Sequence, residues 1–334
     1  MIKIEYHSDL KEVQSDGCLA RLLSDEIQCA PFDRLQWWQL LEEHCGMKPL
    51  LATSQLEDAA AVLPLADGAG HMSALSNWYT FRFRPILSDN VAPINALARD
   101  LANRAHRITL TGVPDEDWSA SRLQTAFTKA GWMVLREPCD INHVLPLAGR
   151  TYEQYIASRP GQLRTTLKRK SGKVETEILT QFDDAVWQAY EDIYAESWKP
   201  DEGSPDFLRA FARQEGAAGR LRLGIARAGG DAIAAQMWTV EGRTAFIHKL
   251  AHREAAKPLS PGSVLTAALM RHVIDGDQVD LVDFGTGDDP YKRDWMETTR
   301  PRYRLDMFRA SRPANWPALG RIGLRRLAAA AKRR

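Results

Sequence analysis

Apolar positions recur along this chain with two periods, and the places where one gives way to the other mark its elements. In PFDRLQWWQLLEEHCG (31–46) Leu35, Trp38 and Leu41 fall at helical spacing behind Asp33, which has the character of an N-cap, so a helix is expected there. MKPLLATSQLEDAAAVLPLAD then reads as two strands around a turn. NVAPINALARDLANRAH (90–106) reads as a helix between extended pieces, the second of them RITLTGV. These elements make an α/β unit, taken as residues 1–148.

A second unit is expected over 149–310. It opens on TYEQYIASRPGQLRTTLKRKSGKVE, where Arg159, Arg164, Lys168, Arg169, Lys170 and Lys173 follow one another before the next acid. Two helices, DDAVWQAYEDIYAESW and SPDFLRAFARQEGAAG, precede three strands, RLRLGIARA, AIAAQMWTV and TAFIHKLA, joined by Gly-Gly and Glu-Gly hairpin signals. LSPGSVLTAALMRHVID is a helix with Pro261 near its start, and the strands VDLVDF and RYRLDMFRA complete the unit. Residues 311–334 form a basic tail: no acid follows Asp306, and on a helical projection Trp316, Leu319 and Leu327 oppose Arg321, Arg325 and Lys332. That is the pattern of a helix lying on an anionic membrane surface, with a disordered basic tail as the plainer alternative.

Composition narrows the class. The 334 residues suit two domains with cores of their own, and 44% hydrophobic with 26% charged residues is ordinary for a globular protein. A net charge of +1 argues against a nucleic-acid partner. Cys18, Cys29, Cys45 and Cys139 show no CxxC spacing, so reduced, buried thiols in a cytosolic protein are expected. The N-terminal MIKIEYHSDLKEV lacks the apolar core of a signal peptide, and no apolar run approaches about 18 residues. A cytoplasmic location follows as the expectation, with peripheral attachment to the inner membrane through the tail.

The most unusual run is VDLVDFGTGDDPYKRDW (279–295). A kinase-like metal site fails for want of a Gly-rich loop and an HRD-type loop, and no GxxxxGK[ST] is present. The histidines show no HExxH, and no metal site is expected. Asp283-Phe284-Gly285-Thr286-Gly287-Asp288-Asp289-Pro290-Tyr291-Lys292, with Ser260-Pro261-Gly262 opening the preceding helix and the basic LRTTLKRK, resembles the FemAB-related and CelD-type (BioF2-like) branch of the GNAT acyltransferase superfamily. The order helix, helix, three antiparallel strands, helix, strand, strand is similar to the core of that family, and the likeness covers residues 20–310. It implies an α/β (α+β) fold of two tandem GNAT-like domains, each a mixed, mostly antiparallel sheet flanked by helices, the first degenerate and the second catalytic. It further implies acyl-CoA as co-substrate and transfer of its acyl group to a primary amine: a sphingoid base in ceramide formation, an amino sugar of an envelope polysaccharide, or a peptidoglycan precursor. A FemAB-like aminoacyl transferase is the alternative within the family; a non-catalytic envelope-assembly factor is the alternative outside it.

N-acylation needs a phosphate cradle, a base and donors for an oxyanion. Ser260, Gly262 and Ser263 at a helix N-terminus, with Lys257 nearby, offer the cradle, although the Arg/Gln-x-x-Gly-x-Gly/Ala loop usual in GNAT proteins is missing. Arg169 in the basic run offers a further phosphate contact. Strand parity sets Asp283 with Val279 and Leu281, where an apolar face would raise its pKa toward use as a base; capping the Gly285–Gly287 turn is the alternative. Asp288 and Asp289 follow the glycines and suit an incoming ammonium, while either is also a partner for Lys292. Tyr291 could protonate a departing thiolate and Lys292 could hold a phosphate or the oxyanion. His248 shares a face with Phe246 and Leu250, as a base or a core residue, and Lys249 is expected on the other face. Trp198 reads as core or as a wall of the acceptor cleft.

Overall fold

The computed structural model describes residues 1–331. The chain starts with β1 (Lys3–His7), α1 (Leu10–Ser15), α2 (Gly17–Leu22) and α3 (Leu35–Cys45). There follow β2 (Pro49–Leu56), β3 (Ala59–Ala66), β4 (His71–Ala74), β5 (Ile86–Leu87), α4 (Ala92–Asp100), β6 (Arg107–Val113), α5 (Ser119–Lys129) and β7 (Met133–Pro146). The second half runs α6 (Tyr152–Ala157), α7 (Gly161–Lys170), β8 (Glu175–Leu179), α8 (Asp184–Ala195), α9 (Pro205–Ala217), β9 (Leu221–Ala228), β10 (Asp231–Glu241) and β11 (Thr244–His252). It ends with α10 (Pro261–Arg271), β12 (Leu281–Thr286), α11 (Pro290–Trp295), β13 (Thr298–Phe308) and α12 (Trp316–Ala331).

The fold is mixed α/β with mostly antiparallel strands flanked by helices, and one plan occurs twice. A strand is followed by two helices, three strands in an antiparallel run, a helix, and a strand that pairs in parallel with the third of them. In the first copy β4 pairs in parallel with β6, and in the second β11 pairs in parallel with β12. Two compact units result, but their boundaries interleave. One comprises residues 1–20, 47–140 and 301–334; the other comprises 21–46 and 141–300.

Sequence order placed the last strand, RYRLDMFRA, in the second unit, whereas the structure pairs β13 with β6 in the first. Its Leu305 and Met307 complete a core with Ile108, Leu110, Leu97 and Phe127. The strand beside β12 is instead the end of β7, registered Asp283 to Val144 and Thr286 to Asn142. The α3 segment also belongs to the second unit. It buries Leu35, Trp37, Trp38, Leu40 and Leu41 and stops at Gly46, whose φ of 62° lets its N–H return to Leu41. Asp33 is not its N-cap. It lies buried in a 3₁₀ turn, and Arg34 occupies the cap while sending its guanidinium to Glu215 and Glu241, each 3.0 Å away.

The core of the second unit forms where α10 lays Val264, Leu265, Leu269 and Met270 against Ala226, Ala245, Ile247 and Val282 of the sheet. The four thiols are free, as expected, yet Cys18, Cys29 and Cys139 are exposed and Cys45 is half-buried, so none fills a core. Among the described residues no helix is long and apolar enough to cross a membrane. The tail is helical through Ala331, with Trp316, Arg321 and Leu324 exposed. Lys332, Arg333 and Arg334 lie outside the described residues, as do the side chains of Arg325 and Leu327.

Candidate active site

Two strands that start side by side and then part create the site. β11 and β12 pair at Thr244–Leu281, Ala245–Val282 and Phe246–Asp283, and no further pairing occurs among the described residues. On its other edge β11 stays joined to β10, with a bulge: Met237 faces Lys249 and Trp238 faces Ile247, leaving His248 as the extra residue. β12 has an irregularity of its own against β7, between Asp283 and Thr286.

A cleft of about 510 Å³ opens where the strands separate. It is lined by Leu250 and His252 of β11, Phe284 of β12, Tyr291 and Trp295 of α11, and Ser260, Gly262, Ser263 and Thr266 at the start of α10. That size and mixed lining are those of a small-molecule pocket. Ser260, the N-cap, holds a left-handed φ of 52° and makes no side-chain capping bond. The N–H groups of Gly262 and Ser263 belong to a first turn, which has no intrahelical acceptor, and they carry the positive end of the helix dipole. Gln236, fully buried on β10, donates to the Gly262 carbonyl at 3.0 Å and to Thr266 Oγ1 at 2.8 Å, which fixes the turn to the sheet. Lys257 also lines the cleft, its side chain 73% exposed.

The acidic loop is held by partners that sequence reasoning left out. Asn142 of β7 donates its amide to both oxygens of Asp283 at 3.0 Å, and the Gly285 N–H donates to Asp283 Oδ1 at 2.8 Å. Asp283 is therefore 5% exposed and clasps its own turn, whose Gly285 and Gly287 take φ of 69° and 92°. Asp288 pairs with Arg293 and meets His143 Nε2 at 3.2 Å; those contacts, the arginine first, hold its pKa below the usual carboxylate value. Lys292 is buried, donates to the Thr286 carbonyl and lies 5.5 Å from the Phe284 ring centroid. Tyr291, 38% exposed, packs edge-on against Phe284 at 5.5 Å, and the desolvation of its phenol in the cleft wall, with Asp289 adding to it, raises its pKa above the ordinary range.

His248 does not reach the cleft. The bulge sets it among Phe32, Phe211 and Phe246, with Thr239 Oγ1 at 2.8 Å, and desolvation, aided by Lys249 and Arg34, pulls its pKa down to about 3. Because the ring is packed among these aromatics and does not line the cleft, the expectation of a catalytic His248 is corrected to a core residue. The same bulge turns Lys249 toward His248's side of the sheet, where it pairs with Glu202 at 2.8 Å and faces the Tyr194 ring at 5.3 Å. Arg169 sits exposed on α7, whose contribution to the cleft is Leu163. Arg159 in the same basic run is buried, donating to the carbonyls of Trp295 and Met296.

Trp198, half-exposed, closes one side of the cleft and lies against the His252 ring with centroids 4.5 Å apart. It begins a loop whose next residues, Lys199 to Glu202, line a second cavity of about 450 Å³ against α8 and α9. Thus the structure brings Ser260, Gly262, Ser263, Lys257 and Tyr291 into one cleft, whereas Asp283 on β12, Asp288 in the loop after it and Lys292 on α11 do not line it. Asn142 and His143 gave no signal, since nothing in CDINHVLPL announces a partner far along the chain.

Residues 161–293 match the family model described as an acetyltransferase (GNAT) domain. No curated protein matches the sequence significantly. Among solved structures, FemX superposes with a TM-score of 0.61 at 10% identity, covering 90% of this chain and 96% of that one. The C-terminal domain of a protein described as a lysylphosphatidylglycerol synthetase, from Agrobacterium fabrum, gives 0.59 at 13% identity, covering 91% and 94%. A tandem GNAT protein from the clavulanic acid biosynthesis pathway gives 0.54 at 13% identity, covering 93% and 100%. At these identities the likeness is one of fold.

Proposed function

We infer that this chain, a GNAT N-acyltransferase related to the FemAB branch, moves an acyl group from an acyl-CoA thioester to a primary amine on an envelope or lipid precursor. The observation that carries this reading is the parting of β11 and β12 beside an uncapped helix N-terminus. Pyrophosphate oxygens would take the N–H groups of Gly262 and Ser263, with Lys257 and Ser260 at the rim. The thioester would lie between the strands, where backbone N–H groups of β11 that have lost a strand partner can donate to the carbonyl oxygen as it becomes an oxyanion. Tyr291, kept protonated and lining the same cleft, would donate to the departing thiolate. Asp283 with Asn142 keeps the β12 exit in shape, and Lys292 ties the loop to the Thr286 carbonyl.

The kind of acceptor is supported by two facts. A fold neighbour bears the name of a lysylphosphatidylglycerol synthetase. The C-terminal helix α12 exposes Trp316 and Leu324 beside Arg321 within a run free of acids, the combination that binds an anionic bilayer. A lipid amine such as a long-chain amino alcohol, met at the inner face of the membrane, is the acceptor this favours.

Purified protein with acetyl-CoA or palmitoyl-CoA and either sphinganine or glucosamine, followed by release of free thiol, is the direct test. Turnover with sphinganine and palmitoyl-CoA is expected. Thiol release with glucosamine alone would replace the lipid by an amino sugar, and no release with any pair would sink the acyl-CoA reading.

A further inference from the structure

An amine arrives as an ammonium ion and must lose a proton before it can attack a thioester. Four of the groups singled out above are poorly suited to take it. Asp288 is committed to Arg293, and Asp283 is enclosed with Asn142 and the Gly285 N–H. His248 is packed away from the cleft, and Tyr291 is a donor.

The loop between α8 and α9 supplies a different group. Trp198 forms a wall of the acyl cleft, and the Lys199 Nζ lies 5.8 Å from the centroid of that same indole. Lys199 also lines the neighbouring cavity of about 450 Å³, together with Trp187, Tyr190 and Tyr194. Acids exceed bases there. Glu191 is matched by Arg209 at 2.7 Å and Glu202 by Lys249 at 2.8 Å, while Asp201 and Asp206 add negative charge. Rings and carboxylates together favour a cationic guest. Among the described residues Lys199 has no ion-pair partner.

We propose, on the basis of the acyltransferase reading above, that Lys199 is the proton acceptor for the amine nucleophile and that the cavity beside it admits the acceptor's ammonium group. Neutral Lys199 Nζ takes one proton from R–NH3⁺. The freed R–NH2 attacks the thioester carbon, the C–N bond forms, the C–S bond breaks, and the second nitrogen proton ends on the departing sulfur by way of the Tyr291 phenol. Lys199 then returns its proton to water, which balances the reaction as amide, free thiol and one H⁺. The environment supports this role: burial first, then Lys249 and Lys292, lower the Lys199 pKa to about 8 against the opposing pull of Glu202 and Asp289. Tyr190, Glu191 and Tyr194 of α8, Asp201 and Glu202 of the loop, and Asp206 and Arg209 of α9 are the other titratable groups lining its cavity.

The experiment measures kcat/KM between pH 6 and 10 for wild type, Lys199→Met and Lys199→Arg, using the amine and acyl-CoA pair that turns over best in the panel above. Affinity for CoA is measured by calorimetry on the same samples. Wild type is expected to rise with an apparent pKa of about 8. Both variants should lose that limb and fall about 100-fold at pH 7 while binding CoA as wild type does. Arginine keeps the charge and cannot accept the proton, so a fully active Lys199→Arg would overturn the proposal and leave the acyltransferase reading standing. A Lys199→Met profile of unchanged shape would do the same. Absence of turnover by wild type with every pair overturns both.

Discussion

Replacing Asp283 separates a carboxylate that moves a proton from one that holds a turn. In Asp283→Ala the Asn142 amide and the Gly285 N–H both lose their acceptor in a buried place. Each stranded group costs about 1–3 kcal/mol, so a loss of about 3 kcal/mol is expected, and in a unit of this size that lowers Tm by roughly 6–12 °C. Asp283→Asn behaves differently. Its Oδ1 still accepts from Gly285, and its new NH2 would meet the Asn142 NH2 unless Asn142 flips. Asn142 Oδ1 is buried without a hydrogen-bond partner among the described residues, so flipping replaces one stranded amide group by another. The net cost is about 1 kcal/mol. Thermal unfolding followed by circular dichroism, with thiol-release kinetics on the same preparations, reads both quantities. If Asp283 holds the turn, Asp283→Asn keeps turnover within tenfold of wild type. A loss of about 100-fold or more in Asp283→Asn, with Tm unchanged and CoA still bound, would refute this reasoning and make Asp283 the base.

Other consequences are as direct. A Cβ on Gly262 would stand 3.4 Å from His252 Cδ2, and Gly262→Val would add two methyl groups over the uncapped turn. KM for acyl-CoA should rise about tenfold in that variant with kcat little changed, and an unaltered KM would remove the phosphate site from α10. Glu241 shares Arg34 with Glu215, and burial lifts its pKa from 4.5 to about 7. The folded state thus binds the proton more tightly than the unfolded chain, so the contribution is complete below about pH 4.5 and is lost as pH rises through 7. Wild type should lose up to about 3 kcal/mol to this group over that interval, and Glu241→Gln should flatten the slope in urea titrations at pH 5 and 8. An identical slope in the variant would reassign the pH dependence. Deleting residues 311–334 should abolish co-sedimentation with vesicles containing 30% phosphatidylglycerol while sparing thiol release with a soluble amine; unchanged sedimentation would dismiss α12 as the membrane contact.

Periodicity made most elements legible. Leu35, Trp38 and Leu41, the β2–β3 alternation, and the Pro261 helix start are local patterns, written in residues that neighbour one another along the chain. The parting of β11 and β12 was not legible, because it is defined by where their pairing stops at Phe246 and Asp283. What lay beyond reach depends on pairing at a distance. The bulge at His248 reverses the parity of Lys249, and no count along TAFIHKLA reveals it, because the extra residue is defined only against Met237 and Trp238.

By itself, then, the sequence carried the α/β alternation of elements, the run at 283–292 that resembles an acyltransferase family, and a Ser-Pro-Gly helix start at 260–262. Tertiary structure alone decided that β13 completes the first unit while the end of β7 completes the second. It also decided that Asn142 clasps Asp283 and that Lys199 looks out on the same indole that walls the cleft. The reason is physical. Helix and strand propensity is settled within a few residues by sterics and side-chain period. A proton acceptor is made by burial and by charges that arrive from strands far apart in the chain.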